Sequence, residues 1–457
     1  MDHITEDTEK IEFDTLINLM NGNEIDSFRK NFFKMHPYDQ AQFFFKLESD
    51  QRTQIYHYLS PQELAEFIEV IEIDDYDFKE ILAEMEPNYA ADTLANMFTD
   101  NAVDVLNTLE KEQVASYLTI MDKESAEDIK DLLHYEEYTA GSIMTTEFVA
   151  ISTNQTVQSA MAILKKEAPK AETIYYIYVV DDRERLVGVV SLRDLIISDD
   201  DTLIHDIMSD RVLSISVGAD QEEAAHQMRD YDLLALPVVD FQNHLLGIIT
   251  VDDIIDVIDE EASDDYSKLA GVTDIDMSDT TPLTAAKKRL PWLIILLFLG
   301  MFTASLIGRF EETLEQVSLL AVFIPLIAGM AGNTGTQSLA VAVRGIATGE
   351  IQELSRTKLL LREAGTGLIT GTICGVLVWG IVFIWKGELF LGLLVGVAIL
   401  ASLFVATLAG SIVPLLMHKI NIDPAVASGP FITTMNDITS ILIYFGLATM
   451  FMSYLVH

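Results

Sequence analysis

The sequence is poor in cysteine and in basic residues. Its 457 residues include one cysteine, Cys374, which lies in an apolar segment. A lone cysteine excludes an intramolecular disulfide framework and a thiolate metal site. Lys and Arg number 29 against 71 Asp and Glu, which gives a formal net charge of −42. This charge argues against nucleic-acid binding, because neutralising phosphates requires the opposite sign.

Common catalytic motifs are also missing. The histidines are scattered along the chain, and the sequence contains no HExxH, GxSxG or P-loop lysine motif. We therefore expect that the protein is not an enzyme. The N-terminal segment MDHITEDTEK has no apolar stretch, so we expect no secretory signal.

Charge divides the chain into two parts. From Ala285 onward nine acidic residues face ten basic ones, whereas the first 284 residues hold 62 acidic and 19 basic side chains, a net charge of −43. Charge of this density repels itself in a compact domain. We interpret the acidic part as cytosolic, and as either a cation-binding region or a solvated acidic surface.

Uncharged segments in the second part predict membrane helices. Each reaches roughly the 20 residues needed to cross the hydrocarbon core. They are residues 290–308, 316–343, 364–385 and 389–417, and a last segment around Asp437. Five spans are the simplest count. Basic residues cluster in alternate connections between these apolar segments. By the positive-inside rule, this pattern predicts a protein of the cell membrane with a cytoplasmic N-terminus, and five spans then place the C-terminus outside.

The last apolar segment, ASGPFITTMNDITSILIYFG, contains a carboxylate at membrane depth. Asp437 follows the Gly429-Pro430 pair, and no Lys or Arg occurs after Lys419. Ionisable residues inside a membrane are costly and mark ion or substrate pathways. We therefore predict that Asp437 meets a mobile cation.

Two patterns describe the acidic part. Between about Ile11 and Leu133, short amphipathic segments such as LAEFIEVI and AVDVLNTL recur about every dozen residues, which predicts a superhelix or bundle of packed helices. An internal duplication follows. Met144 in IMTTEFVAI corresponds to Met208 in IMSDRVLSI, and Gly188 in LVGVVSLRDLI corresponds to Gly247 in LLGIITVDDII.

The duplication resembles a tandem cystathionine-β-synthase (CBS) pair, or Bateman module, over about residues 143–258. In some such modules a hydroxyl at the end of a strand and an Asp three residues later hold the ribose of an adenine nucleotide. Ser191 with Asp194 and Thr250 with Asp253 have that spacing, so the resemblance suggests ATP as a regulatory ligand. The alternative is ordinary capping of helix N-termini.

A run of carboxylates connects the duplication to the apolar part. Asp253, Asp256, Asp259, Glu260 and Asp264 fall mostly at three- and four-residue steps, which would place them on one face of a helix. Like charges at these steps destabilise a helix, so a helix here needs counter-cations. Hard divalent ions such as Mg²⁺ suit carboxylate and water ligands.

Together these features resemble the MgtE family of magnesium channels over nearly the whole chain. Three segments carry the resemblance: YEEYTAGSIMTTEF (135–148), KRLPWL (288–293) and DPAVASGPFITTMNDITSILIY (423–444). The implied fold is multidomain, with an all-α N-terminal domain, an α/β CBS pair, an acidic connecting helix and an all-α transmembrane domain. The corresponding ranges are 1–136, 137–200 with 201–262, 263–284 and 285–457.

The resemblance also implies a homodimer in a lipid membrane with one pore on the two-fold axis. Asp437 of each subunit would bind a hydrated Mg²⁺ through its waters. The other implied pore residues are Ala427, Gly429, Thr434 and Asn333.

Family mechanism further implies that cytosolic Mg²⁺ closes the pore by bridging the acidic domains. The carried-over regulatory residues are Asp220, Glu222, Asp232, Asp253, Asp256, Asp259, Glu261, Asp264, Asp265 and Asp423. Two segments depart from the family pattern. Asn88 and Tyr89 stand where the family usually has an acidic pair, and Asp92 lies nearby as a substitute. In AGNTGTQS, Ala331 and Thr336 depart from a pattern that commonly includes a second glycine and an asparagine.

Two other functions remain open at this stage. A membrane-anchored CBS sensor of nucleotide or Mg²⁺ would need no pore, and the polar residues at membrane depth argue against it. A secondary transporter of Co²⁺, Mn²⁺ or another solute would be favoured by inverted repeats in the membrane part, and the sequence shows none.

Overall fold

The computed structural model describes residues 13–71, 76–272, 281–348, 356–420, 422–427 and 429–455. The chain forms two compact units, Met1–Ile258 and Asp259–His457. Each unit has its own apolar core.

The first unit begins with short helices that pack on one another. Residues 13–21 form α1. The next nine helices are α2 (Ile25–Phe32), α3 (Pro37–Phe45), α4 (Ser49–Tyr58), α5 (Pro61–Ile68), α6 (Phe78–Glu84), α7 (Pro87–Ala95), α8 (Thr99–Asn107), α9 (Lys111–Ile120) and α10 (Lys123–Leu132). The predicted all-α N-terminal domain is confirmed.

Local sequence signals explain where several of these helices begin. A capping box between Ser60 and Glu63 begins α5, and Pro occupies the first position of α3, α5 and α7, where its missing amide proton costs no helical hydrogen bond. Aromatic side chains of α2, α3 and α5 fill the space between the helices. Phe28, Phe32 and Phe44 are fully buried.

Two three-stranded sheets of identical topology follow. The first contains β1 (Ala150–Ser152), β2 (Tyr176–Val180) and β3 (Leu186–Ser191), and the second contains β4 (Ile215–Ser216), β5 (Ala235–Val239) and β6 (Leu245–Thr250). In each sheet the first pair is parallel and the second is antiparallel. The accompanying helices are α11 (Val157–Glu167), α12 (Leu192–Ile197), α13 (Ile204–Ile207) and α14 (Gln221–Asp230). The predicted duplication is therefore confirmed as a structural repeat.

The two copies interlock at the residues that define the repeat in the sequence. A Cβ atom on Gly188 would lie 2.7 Å from Sδ of Met208, and one on Gly247 would lie 2.9 Å from Sδ of Met144. Each methionine thus packs against the glycine of the other copy. Reciprocal backbone pairs, Thr145 with Ile248 and Val189 with Ser209, flank both contacts.

The acidic connecting segment forms one long helix, α15 (Val251–Ala270). It starts directly after β6, within the range expected for the second CBS repeat, and it ends at Ala270, before the end of the predicted connecting range 263–284. Residues 273–280 of that range lie outside the described residues. The predicted carboxylate ladder from Asp253 to Asp264 lies on this helix.

The second unit is helical. Its helices are α16 (Pro282–Gly308), α17 (Glu311–Gln316), α18 (Leu320–Ala347), α19 (Arg356–Lys386), α20 (Leu389–Lys419), α21 (Gly429–Met450) and α22 (Met452–Leu455). Among the described residues, four helices are long and apolar enough to cross a membrane: 282–308, 357–386, 389–419 and 429–450. α18, a continuous helix of 28 residues that contains the polar cluster from Asn333 to Ser338, is not among these four. The count of five spans therefore stays a prediction.

We expect Gly247→Ala to destabilise the first unit more than Gly188→Ala does. At position 247 a Cβ would lie 2.5 Å from the carbonyl oxygen of Thr145, a backbone atom, whereas the nearest atom at position 188 is the flexible Sδ of Met208. Overpacking typically costs about 1–3 kcal/mol. Thermal unfolding of the purified chain checks this. Gly218→Ala, where no atom lies within 4 Å, is the control. Equal melting temperatures for the 247 and 218 variants would contradict the prediction.

Candidate cation pathway and regulatory residues

The crossing of α18 and α21 brings polar side chains close together. A Cβ atom on Gly332 would lie 2.7 Å from Cγ2 of Thr433, and one on Gly335 would lie 1.9 Å from Nδ2 of Asn436. The two helices can approach this closely only because glycine occupies both positions. Close approach also places the hydroxyls of Thr336 and Thr433 3.2 Å apart.

Asp437 and Asn436 have buried polar atoms without hydrogen-bond partners among the described residues. Oδ1 of Asp437 and both side-chain polar atoms of Asn436 are enclosed and unpaired. An unsatisfied buried polar group costs free energy, and an isolated carboxylate costs more. The Cβ position of Gly332 lies 3.6 Å from Oδ1 of Asp437, so this oxygen faces the glycine surface of α18. The arrangement suits a carboxylate whose partner is a cation or water.

The other predicted pore residues occupy different surroundings. Thr434 lies one helical turn before Asp437, and its hydroxyl donates to the carbonyl of Pro430 at 2.9 Å. Ala427 and Gly429 are buried at the start of α21, and Asn333 is exposed on α18 in the single chain. The chain therefore places Asp437 and Thr434 on one side of α21, and no hydrogen bond among the described residues joins Asn333 to either of them.

Sequence reasoning missed a second buried carboxylate in this unit. Glu363 on α19 is 6% exposed and accepts a hydrogen bond from the hydroxyl of Ser338 on α18. Ser338 also lies 3.2 Å from the hydroxyl of Ser411 on α20. The three side chains join α18, α19 and α20. The only sequence signal was an acidic residue directly before an apolar segment, which also describes an ordinary loop.

The end of α15 lies against the start of α21 within the second unit. A Cβ on Gly429 would lie 3.1 Å from the carbonyl oxygen of Leu269, and one on Gly271 would lie 3.2 Å from Cγ of Pro430. Gly271 has φ +71°, a conformation that favours glycine. The acidic helix thus ends against the helix that carries Asp437.

Lys268 forms ion pairs with two of the predicted regulatory carboxylates. Its ammonium group donates to both Asp264 and Asp423. Burial opposes the charge, but the hydrogen bonds to the two carboxylates outweigh it and raise the pKa of Lys268. Asp423 also accepts from the amide of Ala425 at 2.8 Å. Sequence reasoning selected the acidic members of this cluster and missed the lysine.

The remaining predicted residues of the connecting helix differ in exposure. Asp256 and Asp259 are exposed, whereas Glu261 and Asp265 are half-buried. In the second CBS copy, Asp220 caps α14 by accepting from the amide of Glu222 at 2.9 Å. Glu222 in turn lies 3.5 Å from His226. Asp232 is exposed.

The two hydroxyl–Asp pairs hydrogen-bond internally. Ser191 donates to Oδ2 of Asp194 at 2.6 Å and accepts from its amide at 3.1 Å. Thr250 donates through its hydroxyl and its amide to Asp253, at 2.5 and 3.2 Å. These contacts match helix capping. Ser191 also borders an open cleft lined by Tyr175, Tyr176 and Arg193, where a nucleotide could bind.

Comparison with known proteins covers both units. Family models match residues 324–447 (MgtE, divalent cation transporter), 35–138 (MgtE intracellular N domain), and 140–199 and 204–260 (CBS domain). The magnesium transporter MgtE of Enterococcus faecalis is 57% identical over 97% of this chain and 98% of its own length. That of Bacillus subtilis is 40% identical over 95% and 96%.

One solved structure, the cytosolic domain of the Mg²⁺ channel MgtE in complex with ATP, is also similar. It is 35% identical to this chain, with a TM-score of 0.50, and the match covers 54% of this chain and 99% of that one.

Gly410→Ala is expected to destabilise the second unit. A Cβ on Gly410 would lie 2.3 Å from the carbonyl oxygen of Gly335 and 3.1 Å from the amide nitrogen of Leu339, so backbone atoms would have to move. We expect a loss of about 1–3 kcal/mol, seen as a lower melting temperature of the detergent-solubilised chain. Gly446→Ala, with no atom within 4 Å, should melt like the unsubstituted protein. A Gly410→Ala variant as stable as this control would refute the close crossing.

Proposed function

Because the chain belongs to the MgtE family of divalent cation transporters, we propose that it is a magnesium channel. It imports Mg²⁺ across the cell membrane and is closed by Mg²⁺ in the cytoplasm. The relatives named as magnesium transporters cover nearly the whole chain. Its long apolar helices make it a multi-pass membrane protein.

The enclosed, unpaired carboxylate oxygen of Asp437 carries this proposal. It lies where Gly332 and Gly335 of α18 allow the close approach of α21. The sequence after Lys419 contains no Lys or Arg that could neutralise it. Mg²⁺ loses its water reluctantly. A carboxylate that contacts the ion through its waters therefore attracts a divalent cation without the cost of dehydration.

Two copies of the chain would form the pore. Each chain supplies one Asp437, and a two-fold axis would place two carboxylates around the ion. At about 4.5 Å, one carboxylate attracts a divalent ion by roughly 2 kcal/mol even at the dielectric constant of water. Two such carboxylates favour a divalent over a monovalent ion.

Cytoplasmic control would act through α15. Its last residues lie against Gly429 and Pro430, so a shift of this helix would alter the start of α21. Mg²⁺ bound among the carboxylates of α15 and at Asp423 would hold the helix in place, and loss of the ions would release it. The ATP complex of a relative supports ATP as a second regulatory ligand, in the cleft beside Ser191.

Asp437→Asn is expected to reduce Mg²⁺ flux at least tenfold. The substitution keeps the shape of the side chain and removes its charge, and a loss of roughly 2 kcal/mol corresponds to more than tenfold in ion occupancy. Flux into liposomes that contain the reconstituted protein measures the effect. Glu388→Gln, at an exposed carboxylate of the same unit, is the control. Equal flux through the Asn variant and this control would make Asp437 a structural residue.

Lys268→Gln is expected to lower, by at least about fivefold, the cytoplasmic Mg²⁺ concentration that halves the flux. Without the ammonium group, Asp264 and Asp423 are left with two uncompensated charges, which attract a divalent ion more strongly. Lys268→Arg keeps the charge and should keep the midpoint near that of the unsubstituted protein. An unchanged or higher midpoint for the Gln variant would contradict the role of Lys268 as a competing cation.

A further inference from the structure

Two consecutive residues of α21 present enclosed polar atoms to the same surface of α18. Nδ2 of Asn436 lies directly against the Cβ position of Gly335, and Oδ1 of Asp437 lies 3.6 Å from that of Gly332. Gly332 and Gly335 are three residues apart on one helix, so their Cβ positions share a face and are about 5–6 Å apart. The amide and the carboxylate oxygen therefore face one small region of the α18–α21 crossing.

The side chain of Asn436 is deeply buried and has no protein partner among the described residues. It is 2% exposed, yet neither Nδ2 nor Oδ1 forms a hydrogen bond with those residues. Over the same part of the second unit, the other enclosed side-chain atoms in this state are Oγ of Ser402 and Oδ1 of Asp437. A buried amide without partners costs free energy. An apolar residue at position 436 would avoid that cost, so the amide points to a partner outside the polypeptide.

A water molecule suits this pair of side chains. A carboxylate offers only acceptors, whereas the amide of Asn436 offers both donors and an acceptor. Water placed between them can accept from Nδ2 of Asn436 and donate to Oδ1 of Asp437. Buried waters typically make two to four hydrogen bonds to polar groups that otherwise lack partners. The chemistry of the two side chains is therefore complementary only when a molecule with both donors and acceptors joins them.

Such a link would set the orientation of the carboxylate of Asp437. Its Oδ1 is enclosed against α18, whereas Oδ2 is not enclosed in this way, and the residue as a whole is half-buried. Fixing Oδ1 toward α18 leaves Oδ2 to face a hydrated ion. Outer partners that hold a ligand in one orientation strengthen its interaction with a metal ion.

We propose that Asn436 is a positioning residue for the cation pathway. Through a water molecule held in the α18–α21 crossing, its amide fixes the carboxylate of Asp437. The effect on the ion rests on the proposed function, whereas the link between the two side chains does not. Sequence reasoning did not select Asn436. On α21 the buried residues Ile432, Asn436 and Ser440 recur every four positions, which is the ordinary spacing of a packed helix face.

Melting temperatures in two backgrounds test the link itself. With Asp437 present, Asn436→Leu leaves the carboxylate oxygen without its partner, so the detergent-solubilised full-length chain should melt lower in Mg²⁺-free buffer. In a chain that carries Asp437→Leu, the same substitution removes the second of two partners and should leave the melting temperature unchanged or higher. The two effects of Asn436→Leu should differ by at least about 2 °C.

Thr439→Val on the same helix is the matched control for this cycle. The hydroxyl of Thr439 already donates to the carbonyl of Met435 at 2.9 Å, so its effect should be the same in both backgrounds. Equal effects of Asn436→Leu in the two backgrounds would overturn the link. An Asn436→Leu variant that melts higher than the unsubstituted chain while Asp437 is present would overturn it as well.

Mg²⁺ flux into liposomes tests the effect on the ion. Asn436→Leu should raise the Mg²⁺ concentration of half-maximal flux by at least about threefold, because Asp437 loses an outer partner. Asn436→Ser keeps a hydroxyl and leaves room for a second water, so it should restore most of the affinity. Thr439→Val should match the unsubstituted chain. A purely structural role would lower the maximal flux per reconstituted protein and leave the half-maximal concentration unchanged, and that result would overturn the positioning role.

The two measurements separate this inference from the proposed function. An effect of Asn436→Leu on melting that depends on Asp437, in a chain that carries no Mg²⁺, would contradict only the channel function. In a conducting chain, flux that falls with Asp437→Asn while Asn436→Leu keeps the half-maximal concentration of the unsubstituted protein would contradict only the positioning role.

Discussion

Repulsion between closely spaced carboxylates is the constraint on which this protein depends. The first 284 residues carry a net charge of −43, and the fold concentrates part of it. Asp100, Glu172 and Asp253 meet in the first unit, and α15 carries a ladder of acidic residues toward the membrane part. Such groups are stable together only if protons, lysines or metal ions neutralise them. Lys268 performs this role for Asp264 and Asp423, and a divalent ion can perform it elsewhere.

The same constraint applies at Asp437, which lies on one of the helices that are apolar enough to cross a membrane. There the close approach of α18 and α21, permitted by Gly332 and Gly335, encloses one carboxylate oxygen. Both parts of the chain thus enclose carboxylate oxygens that have no hydrogen-bond partner among the described residues. The proposed regulatory response to the transported ion would follow from a shared preference for divalent cations. Within the second unit, the contact of α15 with the start of α21 would carry that response to Asp437.

Residue order alone predicted those features that depend on local spacing. The duplication was visible as Met144 with Met208 and Gly188 with Gly247, and the structure explains why these four residues recur, since each methionine packs on the glycine of the other copy. The carboxylate ladder and Asp437 were found from helical spacing and from charge at membrane depth. Glu363 and Lys268 were missed, because their contacts with Ser338 and Asp423 join segments that are distant in the sequence.

The most direct test is to locate divalent ions in crystals of the full-length protein grown with Mn²⁺, by anomalous X-ray scattering. We expect a peak about 4–5 Å from the carboxylate of Asp437, the distance of a contact through water. Mn²⁺ bound only at exposed carboxylates, with no peak near Asp437, would contradict the claim that this enclosed carboxylate faces the path of the ion.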